Sequence, residues 1–327
     1  MSTYLVTGAT GFLGRALVKC LLAQGHGVRG FARSVAAGSA DVEWRSGSVL
    51  DEHAVADACA GVDGVFHLAG QVEHTRRQGY AAMRALNVRG TLNVLRATDA
   101  PIVAASTSGV VAVSAHPGRI ADDQSPYASR LTIDWPYYAT KIEAERAARD
   151  WAGSRGRDVT FIRPSLLLGP DDTGGESTAL VHRLLGSRVP VAPSGGLSWV
   201  DVRDVALVMR EAMLKTDGVT TAIVTTTNET FIAFFERVAA LSGVPAPTRR
   251  LPYWLAHTGA RLVTAVGGLV GRADPAMDPV VVEMTRHYWY ADAGVASASF
   301  GFQPRPADDT LRETIDWLRE HADIPRI

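Results

Sequence analysis

Residues 3–14 read Thr3-Tyr4-Leu5-Val6-Thr7-Gly8-Ala9-Thr10-Gly11-Phe12-Leu13-Gly14, and this run decides the fold. A short apolar strand pattern stops at Thr7, glycines follow at every third position, and a helical pattern begins near Phe12. In that helix Phe12, Ala16 and Cys20 lie beside Leu13, Leu17 and Leu21 on one apolar stripe, and Gly25 and Gly27 end it. In a strand–turn–helix of this kind Gly8 makes the tight turn, Gly11 lets the backbone approach a pyrophosphate, and Gly14 lets the helix pack close to the sheet. The uncapped helix start offers N–H groups and partial positive charge to phosphates. A dinucleotide is therefore expected here, with Thr10, Phe12 and Leu13 completing the turn that holds it.

Working outward, further short apolar strands are expected at Val28–Ala32, Val42–Trp44, Val65–Leu68, Ile102–Ala105 and Val159–Ile162, alternating with helical patterns. They are apolar through their length, as parallel strands covered on both faces should be. The fold class is thus α/β, a Rossmann-type doubly wound parallel sheet with a smaller, mainly helical substrate lobe built from separated segments. We divide the chain into a dinucleotide-binding domain at 1–165, a lobe segment at 166–196, a return to the first domain at 197–229, and mainly lobe with a C-terminal helix at 230–327. The return is marked by a helical run from Val202 to Leu214 and a strand from Thr221 to Thr226.

The composition narrows the function. The 327 residues carry 33 Lys+Arg against 34 Asp+Glu, a net charge of −1, so no nucleic-acid footprint is expected. Cys20 and Cys59, the two cysteines, read as buried inert thiols, and no metal site is expected. Trp254–Val270 is apolar but broken by His257, Arg261 and three glycines, which argues against a membrane span. Met1 is followed within three residues by a strand-like run, leaving no room for a signal peptide, so the cytoplasm is expected.

An NAD site usually has an acidic residue at the end of the second strand, to bond the ribose hydroxyls. Here that end reads Gly30-Phe31-Ala32-Arg33-Ser34, with Arg33 in the place of the acid. A guanidinium suits a 2′-phosphate through paired N–H donors, so NADP(H) is favoured over NAD(H).

Chemistry is suggested by Pro136-Tyr137-Tyr138-Ala139-Thr140-Lys141. On a helix Tyr137 and Lys141 share one face, and a nearby ammonium is expected to lower the phenol pKa and prepare it for acid–base work. Tyr138, offset by one, should point elsewhere. Ala105-Ser106-Thr107-Ser108-Gly109 ends a strand on the edge where ligands bind in open α/β sheets, and a hydroxyl there can donate to a developing oxyanion.

With these anchors the sequence closely resembles the extended short-chain dehydrogenase/reductase family over nearly its whole length. Further anchors are Val65-Phe66-His67-Leu68-Ala69-Gly70, Asn87-Val88-Arg89-Gly90-Thr91-Leu92-Asn93-Val94 and Arg163-Pro164. The resemblance implies that Ser108, chosen over Thr107 by its distance from the strand, polarises the substrate oxygen and that Tyr137 transfers the proton. It implies that Lys141 holds the nicotinamide ribose while tuning Tyr137, and that Asn87 supports the proton relay. Leu68, Ala69, Gly70 and Pro164 would line the cofactor. Where many relatives bond the adenine with an aspartate this chain has Ser46-Gly47-Ser48-Val49, so Ser48 would have to serve.

Within the family, nucleotide-sugar epimerases and dehydratases often carry Arg-x-x-Asn and Val-Tyr-Gly. This chain has Leu166 in the place of that asparagine and Val110-Val111-Ala112-Val113 after the serines. Trp254, Leu255, Leu262, Val263, Val266, Leu269, Val270, Met277, Met284 and Trp289 supply an apolar lobe rather than a diphosphate clamp. The pattern is more similar to the dihydroflavonol-reductase and 3β-hydroxysteroid-dehydrogenase branches. It implies a ketone reductase or alcohol dehydrogenase acting on a small apolar substrate. Alternatives are an epimerase or dehydratase with tightly bound NAD and a non-catalytic dinucleotide sensor. A homodimer through Thr91–Ala97 and Tyr138–Ala152 is also compatible with the resemblance.

Overall fold

A computed structural model describes residues 1–34, 40–74, 79–157, 159–186, 191–215, 220–250, 253–269 and 278–321, with the side chains of 262–269 left out. Strands β1 (Thr3–Thr7), β2 (Gly27–Ala32), β3 (Val42–Ser46), β4 (Gly64–His67), β5 (Ile102–Ala105) and β6 (Thr160–Pro164) lie within a few residues of their expected positions. With the edge strand Thr221–Val224 they form one parallel sheet, in the order Thr221–Val224, β6, β5, β4, β1, β2, β3.

Alternation along each strand explains the two helical layers. Tyr4, Val6, Phe66, Val103 and Ile162 enter a core shared with the helices Phe12–Ala23 and Val202–Leu214. Leu5, Val65, Ile102, Ala104 and Phe161 enter the opposite core, with the helices Glu52–Cys59, Gly90–Ala97 and Pro136–Gly153. Both faces of the central strands are covered, so these have no polar side to show, whereas the edge strand β3 leaves Glu43, Arg45 and Ser46 exposed. The chain winds from β1 out to β3 and returns to β4 on the other side of β1, which opens a crevice at the carboxyl ends of β1 and β4.

A second sheet pairs Thr227–Thr230 antiparallel to Gly196–Asp201, which runs parallel to Leu166–Leu168. Its core combines Leu168, Val181, Leu184, Trp199, Phe231, Phe234, Leu311 and Ile315. Residues from 166–168, 179–186, 231–242 and 307–321 thus build one lobe from distant parts of the chain. Trp254 and Leu255, expected in an apolar lobe, are 69% and 47% exposed, whereas Met284 is buried. The side chains of Leu262, Val263, Val266 and Leu269, and residues Val270 and Met277, lie outside the described residues. Among the described residues no helix is long and apolar enough to cross a membrane. Cys59 is buried and Cys20 partly so, and both are free; burial pushes the Cys59 thiol up to about 11.

The helix Pro136–Gly153 is fastened to β6 by a buried ion pair. Arg163 donates from Nε to Glu145 Oε1 at 3.1 Å and from Nη2 to Oε2 at 2.6 Å, while the Tyr127 hydroxyl donates to Oε2 at 2.9 Å. Asp123 stands 3.5 Å from Arg163 Nη1 and accepts the Ile223 amide at 2.9 Å, tying in the edge strand. Removing one partner of such a pair strands a buried charge and costs about 3–5 kcal/mol. Glu145→Ala is therefore expected to lower the urea midpoint sharply, whereas Tyr127→Phe, losing one hydrogen bond, should cost about 1–3 kcal/mol. Urea titrations of both variants check this.

Candidate active site

The carboxyl edge of the sheet collects the residues singled out above. At the end of β1 Gly8 has φ +70°, and a Cβ there would lie 2.8 Å from the Ala69 nitrogen. A Cβ on Gly14 would meet the Gly8 carbonyl oxygen at 2.1 Å, so the helix can approach the turn only with glycine at this position. Gly11 is the N-cap of the helix Phe12–Ala23 and has no side-chain cap, and Leu13 and Gly14 are buried in its first turn. The Thr10 carbonyl accepts from the Arg15 guanidinium. These features fit a dinucleotide. The turn is shaped by what glycine lacks, and the helix N-terminus presents amides that no side chain satisfies.

Arg33 is exposed, one residue past β2, and Ser48 lies just beyond β3 with its hydroxyl accepting the Leu50 amide at 3.2 Å. Leu68, Ala69 and Gly70 follow β4. The Leu68 and Ala69 amides both donate to Thr7 Oγ1 at 3.2 Å, so the β1 and β4 ends are locked together. Pro164 is buried at the end of β6.

A chain of hydrogen bonds runs from this crevice to the helix carrying Tyr137. Thr7 Oγ1 accepts two amides, so its proton goes to His67 Nδ1 at 2.9 Å. His67 Nε2 then donates to Thr91 Oγ1 at 3.0 Å, and the Thr91 hydroxyl donates to the Asn87 carbonyl at 2.6 Å. Asn87 is buried in a π-helical turn, Ala85–Arg89. Its side chain accepts the Gln71 amide at 2.9 Å and donates to the Gln71 carbonyl at 3.1 Å and to Thr140 Oγ1 at 3.0 Å. Thr140 in turn donates to the Tyr137 carbonyl at 2.8 Å.

On the helix Pro136–Gly153, Tyr137, Lys141 and Glu145 fall one turn apart. Lys141 Nζ donates to the Ala105 carbonyl at 2.8 Å, directly before the hydroxyl run, and lies beside Gly70, where a Cβ would be 3.7 Å away. Burial lowers Lys141 to about 8, and Glu145 opposes part of that fall. The expected lowering of the Tyr137 pKa is not found. Burial raises it by desolvating the phenol, and the Lys141 ammonium is bonded to the Ala105 carbonyl. Thr107 Oγ1 caps the short turn Ser108–Val110, accepting the Gly109 amide at 3.3 Å, while Ser108 is buried.

Tyr138 points away from Lys141, as its offset predicts, into an aromatic wall. Its ring packs 4.9 Å from Trp289 and 6.1 Å from Trp135, and a Cβ on Gly109 would come within 2.3 Å of it. Two residues at the site have no local sequence signal. Thr140 joins Asn87 to the helix, and His74 sits edge-on to Tyr137; both are brought there by the packing of separate elements. Among the described residues no cluster of three or more His, Cys, Asp or Glu is placed to hold a metal.

Comparison with known proteins matches the model of the NAD dependent epimerase/dehydratase family over residues 4–224. The chain is 30% identical to a 2-alkyl-3-oxoalkanoate reductase of Shewanella oneidensis, over 92% of this chain and 82% of that protein. It is also 30% identical to a dihydroflavonol 4-reductase of Arabidopsis thaliana, over 56% of this chain and 53% of the other. The crystal structure of gox2253 shares the fold, with a TM-score of 0.84, 24% identity, and coverage of 99% of this chain and 100% of that one.

Burial of His67 between two threonines gives a pH prediction. Its pKa is lowered from 6.5 to about 3, by burial first and then by Lys141, so the folded protein keeps it neutral. The unfolded chain gains a proton below about 6.5 that the folded state refuses, so stability should fall as pH drops from 6.5 towards 3. His67→Asn is expected to remove this component, seen as a shallower fall of Tm between neutral and acid pH.

Proposed function

The chain belongs to the NAD dependent epimerase/dehydratase family, and on that premise we propose that it is an NADP(H)-dependent ketone reductase or alcohol dehydrogenase acting on a small apolar substrate. The observation that carries this reading is the placing of Tyr137 and Lys141 one turn apart on a partly buried helix face, with Lys141 bonded to the carbonyl that precedes the serine-rich strand end. The family binds a nicotinamide dinucleotide, and its members act on hydroxyl and carbonyl groups. The names of the two reductase relatives support reduction of a carbonyl.

In this reading Gly8, Gly11 and Gly14, with Thr10, Phe12 and Leu13, shape the turn that receives the diphosphate at the helix N-terminus. Leu68, Ala69, Gly70 and Pro164 line the dinucleotide, Ser48 bonds the adenine, and Lys141 bonds the nicotinamide ribose. The bound nicotinamide supplies or takes the hydride. Ser108 donates a hydrogen bond to the substrate oxygen. Tyr137 gives that oxygen its proton. A phenol raised above its ordinary range stays protonated at neutral pH, which is the form reduction needs. Asn87 holds the Gln71 backbone and Thr140, and through Thr140 the start of the catalytic helix. The wall of Tyr138, Trp135 and Trp289 gives the site an apolar side suited to an apolar substrate. Leu131 and Ile133, exposed just before the helix Pro136–Gly153, would lie near a homodimer contact through that helix.

Two measurements test the assignment. Tyr137→Phe is expected to lower the rate of NADPH-dependent ketone reduction by about 100-fold or more, the usual worth of a positioned acid, while dinucleotide binding largely persists. Retained turnover would overturn the role given to the phenol. Calorimetric titration is expected to show NADPH binding about tenfold or more tighter than NADH, with Arg33→Ala bringing the two together. Equal binding by the unaltered protein would remove Arg33 from the site.

A further inference from the structure

His74 lies where the candidate site meets its aromatic wall. Its imidazole stands edge-on to the Tyr137 ring, with centroids 5.5 Å apart at 90°, and stacks on Tyr138 at 5.7 Å and 24°. Tyr138 cannot easily yield, since it is wedged between Gly109 and Trp289. The imidazole is therefore held by ring contacts, and among the described residues Nδ1 is buried with no hydrogen-bond partner.

A buried ring nitrogen without a partner is costly, and such groups in native proteins call for an explanation. For His74 the surroundings supply one. Burial lowers its pKa, with Glu73 opposing, so near neutral pH the ring is uncharged and offers one N–H donor and one acceptor nitrogen. Among the described residues no hydrogen bond to Nδ1 fixes which state it takes, so a ligand can set it. The neighbouring Tyr137 phenol is the group assigned to the reacting oxygen. A molecule bonded to that phenol can reach His74 only through a second polar atom a few bonds away.

We propose that His74 is a specificity-determining residue of this site, making a hydrogen bond through Nδ1 to a second oxygen close to the reacting carbonyl of a largely apolar ketone. This rests on the reductase reading above and deepens it. The substrate class is an oxygenated ketone, such as a keto ester or hydroxyketone, whose apolar part lies along Tyr138 and Trp289. A pocket that only packs apolar surface separates such a compound weakly from its plain analogue. A buried hydrogen-bonding group separates them strongly, because the analogue leaves that group unpaired.

The test compares ethyl benzoylacetate with butyrophenone, an aryl ketone lacking the ester oxygens, by NADPH oxidation in the whole protein. The unaltered protein is expected to favour the keto ester by about tenfold or more in kcat/KM. His74→Phe keeps an aromatic ring against Tyr137 and Tyr138 but loses the nitrogen, and it should erase most of that preference, mainly through KM for the keto ester. His74→Asn, which keeps a polar group near the place of Nδ1, should restore part of it. A ratio near one in the unaltered protein, or a ratio that His74→Phe leaves intact by slowing both ketones alike or neither, would overturn the assignment of His74. Absence of NADPH oxidation with either ketone in the unaltered protein would instead overturn the reductase reading beneath it.

Discussion

The buried pairing of Arg163 with Glu145 fixes a distance on which the candidate site depends, that between the sheet and the helix Pro136–Gly153. Two charges removed from water need close partners; Tyr127 donates a hydrogen bond to the Glu145 carboxylate, and Asp123 stands 3.5 Å from the guanidinium as a second negative charge. Because Glu145 lies one turn beyond Lys141 and two beyond Tyr137, securing it also sets the rotation of the helix. That rotation brings Lys141 to the Ala105 carbonyl and keeps Tyr138 in the aromatic wall. The same carboxylate offsets part of the desolvation of Lys141, so one residue serves both the packing and the charge of the site.

A second constraint works across the sheet. From Thr7 at the end of β1 through His67, Thr91, Asn87 and Thr140 to the Tyr137 carbonyl, every side-chain hydroxyl, imidazole and amide has a defined donor direction. The glycine turn after β1 and the turn that starts the helix Pro136–Gly153 therefore hold one another in register. The π-helical turn at Ala85–Arg89 fits this arrangement, since a widened turn lets Asn87 face Gln71 and Thr140 together.

The fold was highly legible because each strand is short, apolar and bounded by glycines or helical patterns. β1 to β6 fall within a few residues of the positions read from the sequence, and the helix Val202–Leu214 matches its expected bounds. The membership of the smaller sheet was less legible. Gly196–Asp201 is buried throughout like the central strands of the main sheet, and nothing local tells it to pair with Leu166–Leu168 and Thr227–Thr230. At the site, spacing places Tyr137 and Lys141 on one face, but spacing carries no information on solvation. The phenol pKa therefore moved opposite to expectation, raised by burial while Lys141 turned to a main-chain carbonyl.

By itself the sequence determined what local chemistry and periodicity can encode. That covers the glycine turn, the short strands apolar through their length, Arg33 at the end of β2, and the helical pairing of tyrosine with lysine. Only the tertiary structure decided which polar groups meet across elements: Glu145 with Arg163, His67 with two threonines, Asn87 with Thr140, and His74 with Tyr137. Periodicity fixes the face on which a residue lies. The partner on that face, and the water removed when the two meet, depend on packing between segments far apart in the chain.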